Sequence, residues 1–577
     1  MDNKFKKTIS PSDRFWLLLQ PDSKEIRDVY VYSFFNGLVY LIIPLGIQAI
    51  INLIQGGRVS TAWIILVILV VFGITLIGIF QILQLRITEN LEQKIFTRSS
   101  FEFAYRLPKI KMEELYKHYA PELANRFFDT LTVQKGISKI LIDFSIASLQ
   151  ILFGLILLSL YSSFFIIFGL ILVLLVFAIF RFTARKGLET SLMESKHKFR
   201  LVHWLEEVAR TSNTFRMASN SDLALDKANG HVESYLNSRE SHFKVLVQQY
   251  SMLVVFRVLV ATGLLAIGGF LVMEQQLNIG QFVAAEIIIL MIISSVEKLI
   301  FNLQTIYDVL TALEKIGQVT DLELEKHEGM DLGEELNGQG ISIELTKVSF
   351  TYPGHDYQVL DNINLNIAGG EKWLITGENG SGKSTLVNLI AGLYNLGNGR
   401  FSVNNIPIEN FNLLSYRVLI GSCLSSEQLF EGTVLENIQV GRKDATFENV
   451  KWAVKNLNLV EYIKTLPKGY DTLLDPLGKK LPKSIIEKIL IARSIVAKPK
   501  LLLLEDAFEY LDQVDRRNII DFLFSSEHSW TVIASSPDQY IAKVATKIAI
   551  MNEGKIVKTG TFEELKPFLD SEGGNNA

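Results

Sequence analysis

A single cysteine, Cys423, stands in 577 residues. A disulfide framework is thereby excluded, and so are cysteine-rich metal sites. Excess positive charge is also missing: 57 Lys and Arg stand against 61 Asp and Glu, a formal net charge of −4, which argues against a nucleic-acid scaffold. His118, His197, His203, His231 and His242 lie in polar stretches without ligand spacing and read as solvated helical faces. The most informative shortage is of charge over long runs. Residues 29–57, 59–85 and 144–180 contain no Asp, Glu, Lys or Arg. The mean hydropathy of +0.25 thus averages a very apolar region with a polar one.

Each of the first two runs exceeds the roughly 20 residues that carry a helix across a bilayer. The third is too long for one helix and breaks at Tyr161-Ser162-Ser163, which predicts a hairpin of two spans. Segments 249–273 and 279–296, interrupted only by Arg257 and Glu286, bring the expected spans to six. Ionisable groups inside spans face a cavity or one another, so Arg257 and Glu286 read as a polar lining, as a structural ion pair, or with Arg257 snorkelling towards the cytoplasmic headgroups. Pro44 predicts a kink in the first span.

Loop 86–139 carries ten Lys and Arg and loop 181–244 is also basic, whereas the alternate loops hold only Arg58. The positive-inside rule then places both termini in the cytoplasm, with the plasma membrane as the expected location. Residues 1–28, with Phe15-Trp16-Leu17-Leu18-Leu19, predict an amphipathic helix at the inner membrane surface, with neither a cleavable signal nor an extra domain before the first span. The cytoplasmic loops are helix-like, so spans two to five are expected to continue as helices beyond the lipid. An all-α six-helix transmembrane domain is thus predicted over 29–310, a polar linker over 311–339, an α/β domain over 340–570 and a disordered tail over 571–577.

In the α/β part, Lys372-Trp373-Leu374-Ile375-Thr376 reads as a strand and the residues from Leu386 as a helix. Between them lies Gly377-Glu378-Asn379-Gly380-Ser381-Gly382-Lys383-Ser384-Thr385, a P-loop in its required strand-loop-helix setting. Glycines let backbone N–H groups wrap the phosphates of ATP, the helix start adds partial positive charge, Lys383 reaches the β/γ-phosphates and Ser384 ligates Mg2+.

Six spans, long cytoplasmic extensions and a P-loop domain together resemble an ATP-binding cassette (ABC) half-transporter of the exporter type. Further motifs carry the resemblance. Val348-Ser349-Phe350-Thr351-Tyr352-Pro353 is similar to the family's stretch upstream of the P-loop, which makes Tyr352 the expected adenine-stacking aromatic. Residues 121–129, beginning Pro121-Glu122-Leu123, resemble the first coupling segment. Leu429-Phe430-Glu431-Gly432-Thr433-Val434 matches the segment after the Q-loop. The resemblance implies ATP and Mg2+ as cofactors and a second half-transporter chain as partner, in a homodimer or a heterodimer. It also implies an exported substrate that the sequence does not identify.

Four motifs depart from the family's pattern. The Q-loop glutamine falls on Ser425, three residues before Gln428. The Leu-Ser-Gly-Gly-Gln signature falls on Leu481-Pro482-Lys483-Ser484-Ile485, where Pro482 has no N–H to offer a phosphate. After Leu501-Leu502-Leu503-Leu504 the family's Asp-Glu order is reversed. Glu505 then stands as the Mg2+ acid, and Asp506, one methylene short, as the water-activating base. Ser535-Ser536-Pro537 occupies the switch-histidine position, and no histidine follows His528. These departures predict intact ATP binding with slow hydrolysis, or hydrolysis that depends on a partner chain. The alternative is a catalytically silent ATP-binding subunit that pairs with or regulates an active half-transporter.

Overall fold

The computed structural model describes residues 9–55, 61–325, 328–331 and 340–573. Two compact units result: Met1–Lys109 with His118–Leu322, and Ile110–Lys117 with Glu323–Ala577.

Among the described residues the first unit is all-helical and contains six helical stretches long and apolar enough to cross a membrane. Ser10 caps the N-terminal helix Pro11–Leu19 by accepting the Asp13 N–H at 3.2 Å. Trp16 and Leu17 on this helix are exposed, whereas Leu19 is buried. The first span is broken between Ser23–Tyr40 and Ile42–Gln55. The break falls at Leu41, one turn before Pro44, which has no N–H to give the Tyr40 carbonyl and whose ring crowds it, so the expected kink is present upstream of the residue that causes it.

The long helices Thr61–Arg106, Phe164–Arg210 and Leu223–Met273 have 46, 47 and 51 residues. At about 1.5 Å per residue, each is roughly 70 Å or longer, more than twice the ~30 Å hydrocarbon core. The last helix, Ile279–Thr320, starts with a capping box between Asn278 and Gln281. Residues 311–320, expected as linker, are its final turns. Val309, Ala312 and Leu313 keep the apolar face buried beside Val133 and Ile137, so the helix has reason to continue. Expected linker residues 326–327 and 332–339, and tail residues 574–577, lie outside the described residues. Tail residues 571–573 close the helix Phe562–Gly573.

Two other expectations are corrected in this unit. Arg257 pairs with Glu297 at 2.5 Å, not with Glu286, because the neighbouring helices Leu223–Met273 and Ile279–Thr320 set that register. His242 is buried, its Nδ1 lying 2.9 Å from Thr190 Oγ1. It therefore packs between helices and is not on a solvated face.

Among the described residues the second unit has three sheets, the smallest being the antiparallel pair Gly432–Thr433 and Leu473–Leu474. Another antiparallel one contains, in order, Leu360–Ile367, Ile343–Phe350, Asn398–Val403 and Ile406–Pro407. A six-stranded one runs Lys555–Gly560, Lys547–Asn552, Lys372–Gly377, Thr531–Ser535, Leu501–Glu505 and Ile420–Cys423. Its pairs are parallel except at the Lys555–Gly560 edge. Leu501 to Leu504 are all buried, as a central parallel strand covered on both faces requires. Cys423 is buried at the other edge, and desolvation pushes its thiol well above the usual range.

Candidate nucleotide site

Parallel pairing brings the carboxyl ends of three strands together. Ser535 is in register with Ile375 on one side and with Glu505 on the other. The P-loop, the acid pair and the Ser535-Ser536 segment therefore share one end of the sheet, where open α/β sheets bind ligands.

The loop is built for close backbone approach. Gly377 has φ 142°, and a Cβ there would lie 2.0 Å from the Met551 carbonyl oxygen. Gly382 has φ 98° and leads into the helix Lys383–Ile390. Lys383 Nζ donates to the carbonyls of Gly377 at 2.7 Å and Glu378 at 2.8 Å. Ser381 is buried, and its carbonyl accepts the Gly554 N–H at 3.1 Å. Glu378, Asn379, Gly380 and Ser384 are exposed, whereas Thr385 is buried. The Thr385 hydroxyl lies 3.0 Å from that of Tyr352, so the expected base-stacking ring is tethered beside the phosphate loop.

The two acids occupy different environments. Glu505 is buried, and its Oε2 accepts the Ser425 N–H at 3.1 Å. Asp506 is exposed and adopts φ 45°, a left-handed conformation that aspartate tolerates. Its N–H donates to Ser535 O at 3.0 Å. Partial desolvation, and then the neighbouring Glu505 charge, raise its carboxyl above the usual range, while Lys383 opposes them.

The remaining departures also have defined places. Pro482 precedes the helix Lys483–Ile495 and gives it no side-chain cap. Lys483 Nζ lies 4.1 Å over the Tyr510 ring. Glu487, buried on the same helix, accepts the Tyr510 N–H at 2.9 Å, and Lys488 is paired with Asp515. Segment 506–512 is thus tied to this helix. Burial pushes the Glu487 carboxyl up to about 7, against the lowering effect of its backbone donors. Gln428 is exposed, and its carbonyl accepts an Arg493 N–H at 3.1 Å. His528 stacks on Trp530 at 4.1 Å, before the start of the strand Thr531–Ser535 and so at the opposite end from the loop.

One contributor went unread in the sequence. Ile110–Lys117 belongs to this unit, whereas the expected coupling segment 121–129 lies in the membrane unit. Its short helix Met112–Leu115 has too few turns to show a periodicity. Ile110 pairs as a β-bridge with Leu324. Glu113 Oε1 accepts from Asn395 N at 2.7 Å and Nδ2 at 3.0 Å. Tyr116 stacks on Tyr352.

Two family descriptions match the chain: the ABC transporter transmembrane region over residues 29–296 and the ABC transporter over residues 360–509. The chain belongs to the ABC transporters and is a half-transporter of the exporter type, with fused transmembrane and ATP-binding domains. It is a multi-pass membrane protein of a family whose members generally dimerise and hydrolyse ATP. A putative multidrug export ATP-binding/permease protein of Bacillus subtilis (strain 168) is 26% identical over 62% of this chain and 60% of its own length. An ATP-dependent lipid A-core flippase of Hahella chejuensis is 32% identical over 44% of this chain and 43% of its own. The chain thus spans about half the length of the curated relatives it matches. The solved structure of a bacterial Atm1-family ABC exporter with ATP bound has the same fold. Its TM-score is 0.84 at 17% identity, over 96% of this chain and 98% of that one.

Proposed function

We propose that this chain binds MgATP at residues 377–385. Pairing with a second half-transporter chain, it uses ATP binding and slow hydrolysis to export a substrate across the plasma membrane. The observation that supports this best is the conjunction of a strained, glycine-dependent phosphate loop with two carboxylates at the same end of one sheet.

In this reading the backbone of Gly377, Glu378, Asn379, Gly380, Ser381 and Gly382 wraps the phosphates, and the Lys383 ammonium turns from its loop carbonyls to the β/γ-phosphates. Thr385 supports the phosphates beside it, and Tyr352 stacks the adenine. The exposed Ser384 hydroxyl and the buried Glu505 carboxylate are hard oxygen donors that fit Mg2+. When bound there, the cation neutralises charge on the phosphates. Asp506 takes the proton of the attacking water. Its short side chain makes turnover slow, since a misplacement of about 1 Å costs ~10²-fold. The basic loops support a cytoplasmic position for both termini and the ATP-binding domain.

The silent-subunit reading has its own support. Lys483, the cation nearest the lost signature donors, is engaged over Tyr510, and no imidazole follows Thr531–Ser535. ATP turnover by the purified chain, with Lys383→Ala as control, decides between them. Lys383-dependent turnover supports the exporter, and its absence selects the silent subunit. Native mass of the solubilised complex separates homodimer from heterodimer.

A further inference from the structure

Four rings surround Tyr352, and one of them meets it face to face. Phe350 and Tyr394 cross it at 84° and 89°, and His355 at 64°. Tyr116 lies on it at 5.0 Å between centroids with only 14° between planes. A purine stacking on an aromatic side chain adopts this same arrangement. The ring has little freedom to offer another orientation, because its hydroxyl is held at Thr385 on the P-loop helix.

Tyr116 is also held as a unit. Its hydroxyl lies 2.8 Å from His355 Nε2, and Glu113, three residues earlier, takes two hydrogen bonds from Asn395. Yet the residue is 44% exposed, so it has room to leave the stack.

We infer that Tyr116 belongs to the base site of the nucleotide: its phenol ring and the purine of ATP use the same face of Tyr352 and exclude each other. Resting on the ATP-binding reading above, this adds a residue from outside the cassette's own contiguous sequence. Tyr116 weakens ATP binding through the base alone and leaves the phosphates untouched. Base binding releases a segment, Ile110–Lys117, that continues in the chain into Thr61–Arg106 on one side and towards Asp129–Tyr161 on the other.

The test is calorimetric binding of MgATP, and separately of magnesium tripolyphosphate, which has no base, to the full chain in nanodiscs. Wild type, Tyr116→Ala, Tyr116→Phe and Lys383→Ala are compared. Tyr116→Ala is expected to bind MgATP about three- to tenfold more tightly, the range an aromatic pair supplies. Tyr116→Phe, which keeps the ring, stays near wild type, and tripolyphosphate affinity is the same in all three Tyr116 chains. Unchanged or weaker MgATP binding by Tyr116→Ala overturns the inference, as does an equal tightening towards tripolyphosphate. Failure of the ATP-binding reading looks different: wild type then binds no MgATP, or Lys383→Ala binds it as well as wild type does, and the inference falls with it.

Discussion

The Ser425 N–H donates to Glu505 Oε2 across 3.1 Å, so the position that the sequence resemblance aligns with the Q-loop glutamine is bonded through its backbone to the acid on Leu501–Glu505. The bond needs no particular side chain at 425, and serine at that position leaves it intact. Glu505→Gln keeps an oxygen acceptor for the same N–H and preserves the fold. Without the negative charge, Mg2+-dependent ATP turnover falls about 10- to 100-fold, the usual effect of removing an outer-shell metal partner. Steady-state turnover against Mg2+ concentration checks this; an unchanged Mg2+ dependence would remove Glu505 from the metal's surroundings.

The exchanged acids predict a gain of function. Glu505→Asp combined with Asp506→Glu restores the family's order and lengthens the base by one methylene. Turnover is expected to rise at least about tenfold, part of the ~10²-fold that misplacement costs. Because position 506 is left-handed, glutamate there lowers stability by roughly 1 kcal/mol. Turnover and melting temperature of the same double variant report both effects, and a fall in turnover would show that carboxylate order is not limiting.

Glu487 predicts a pH dependence of stability. Its folded-state value of about 7 exceeds the ordinary value of about 4.3, so the folded chain holds this proton more tightly than the unfolded one. The contribution is greatest below about pH 4.3, is lost as pH rises through about 7, and is level above that. Glu487→Gln retains an acceptor for Tyr510 N–H without the buried charge. It is expected to be more stable than wild type at pH 8 by on the order of 1–3 kcal/mol, with the difference shrinking towards pH 5. Denaturation at the two pH values measures it, and a pH-independent difference would contradict the assignment.

Arg257 and Glu297 predict a coupling within the spans. Arg257→Met and Glu297→Gln each leave a charged partner behind, so the double variant is more stable than the sum of the single losses implies. The coupling is expected at about 1 kcal/mol. Glu286→Gln, which removes no described ion pair, shows no coupling to Arg257. A double-variant cycle on detergent-solubilised chain separates these outcomes.

The legibility of the chain followed the range of the forces involved. Charge-free runs report directly on lipid, and a P-loop is local, so six helices and residues 377–385 were readable one segment at a time. What depends on pairing was not. Glu297 closes the Arg257 pair because two long helices meet in that register. His242 looked polar by neighbourhood but faces Thr190. Residues 311–320 read as linker because their polar face dominates the composition, although Leu313 is buried. Ile110–Lys117 went unread because its four-residue helix has no pattern, and its meaning appears only when Tyr116 meets Tyr352.

The central claim, that the phosphate loop binds ATP despite the departures around it, is tested most directly by the MgATP affinity of the full chain with and without Lys383. Saturable binding to wild type, weakened at least about tenfold in Lys383→Ala, is the expected result. Binding that is absent in wild type, or indifferent to Lys383, would contradict the account.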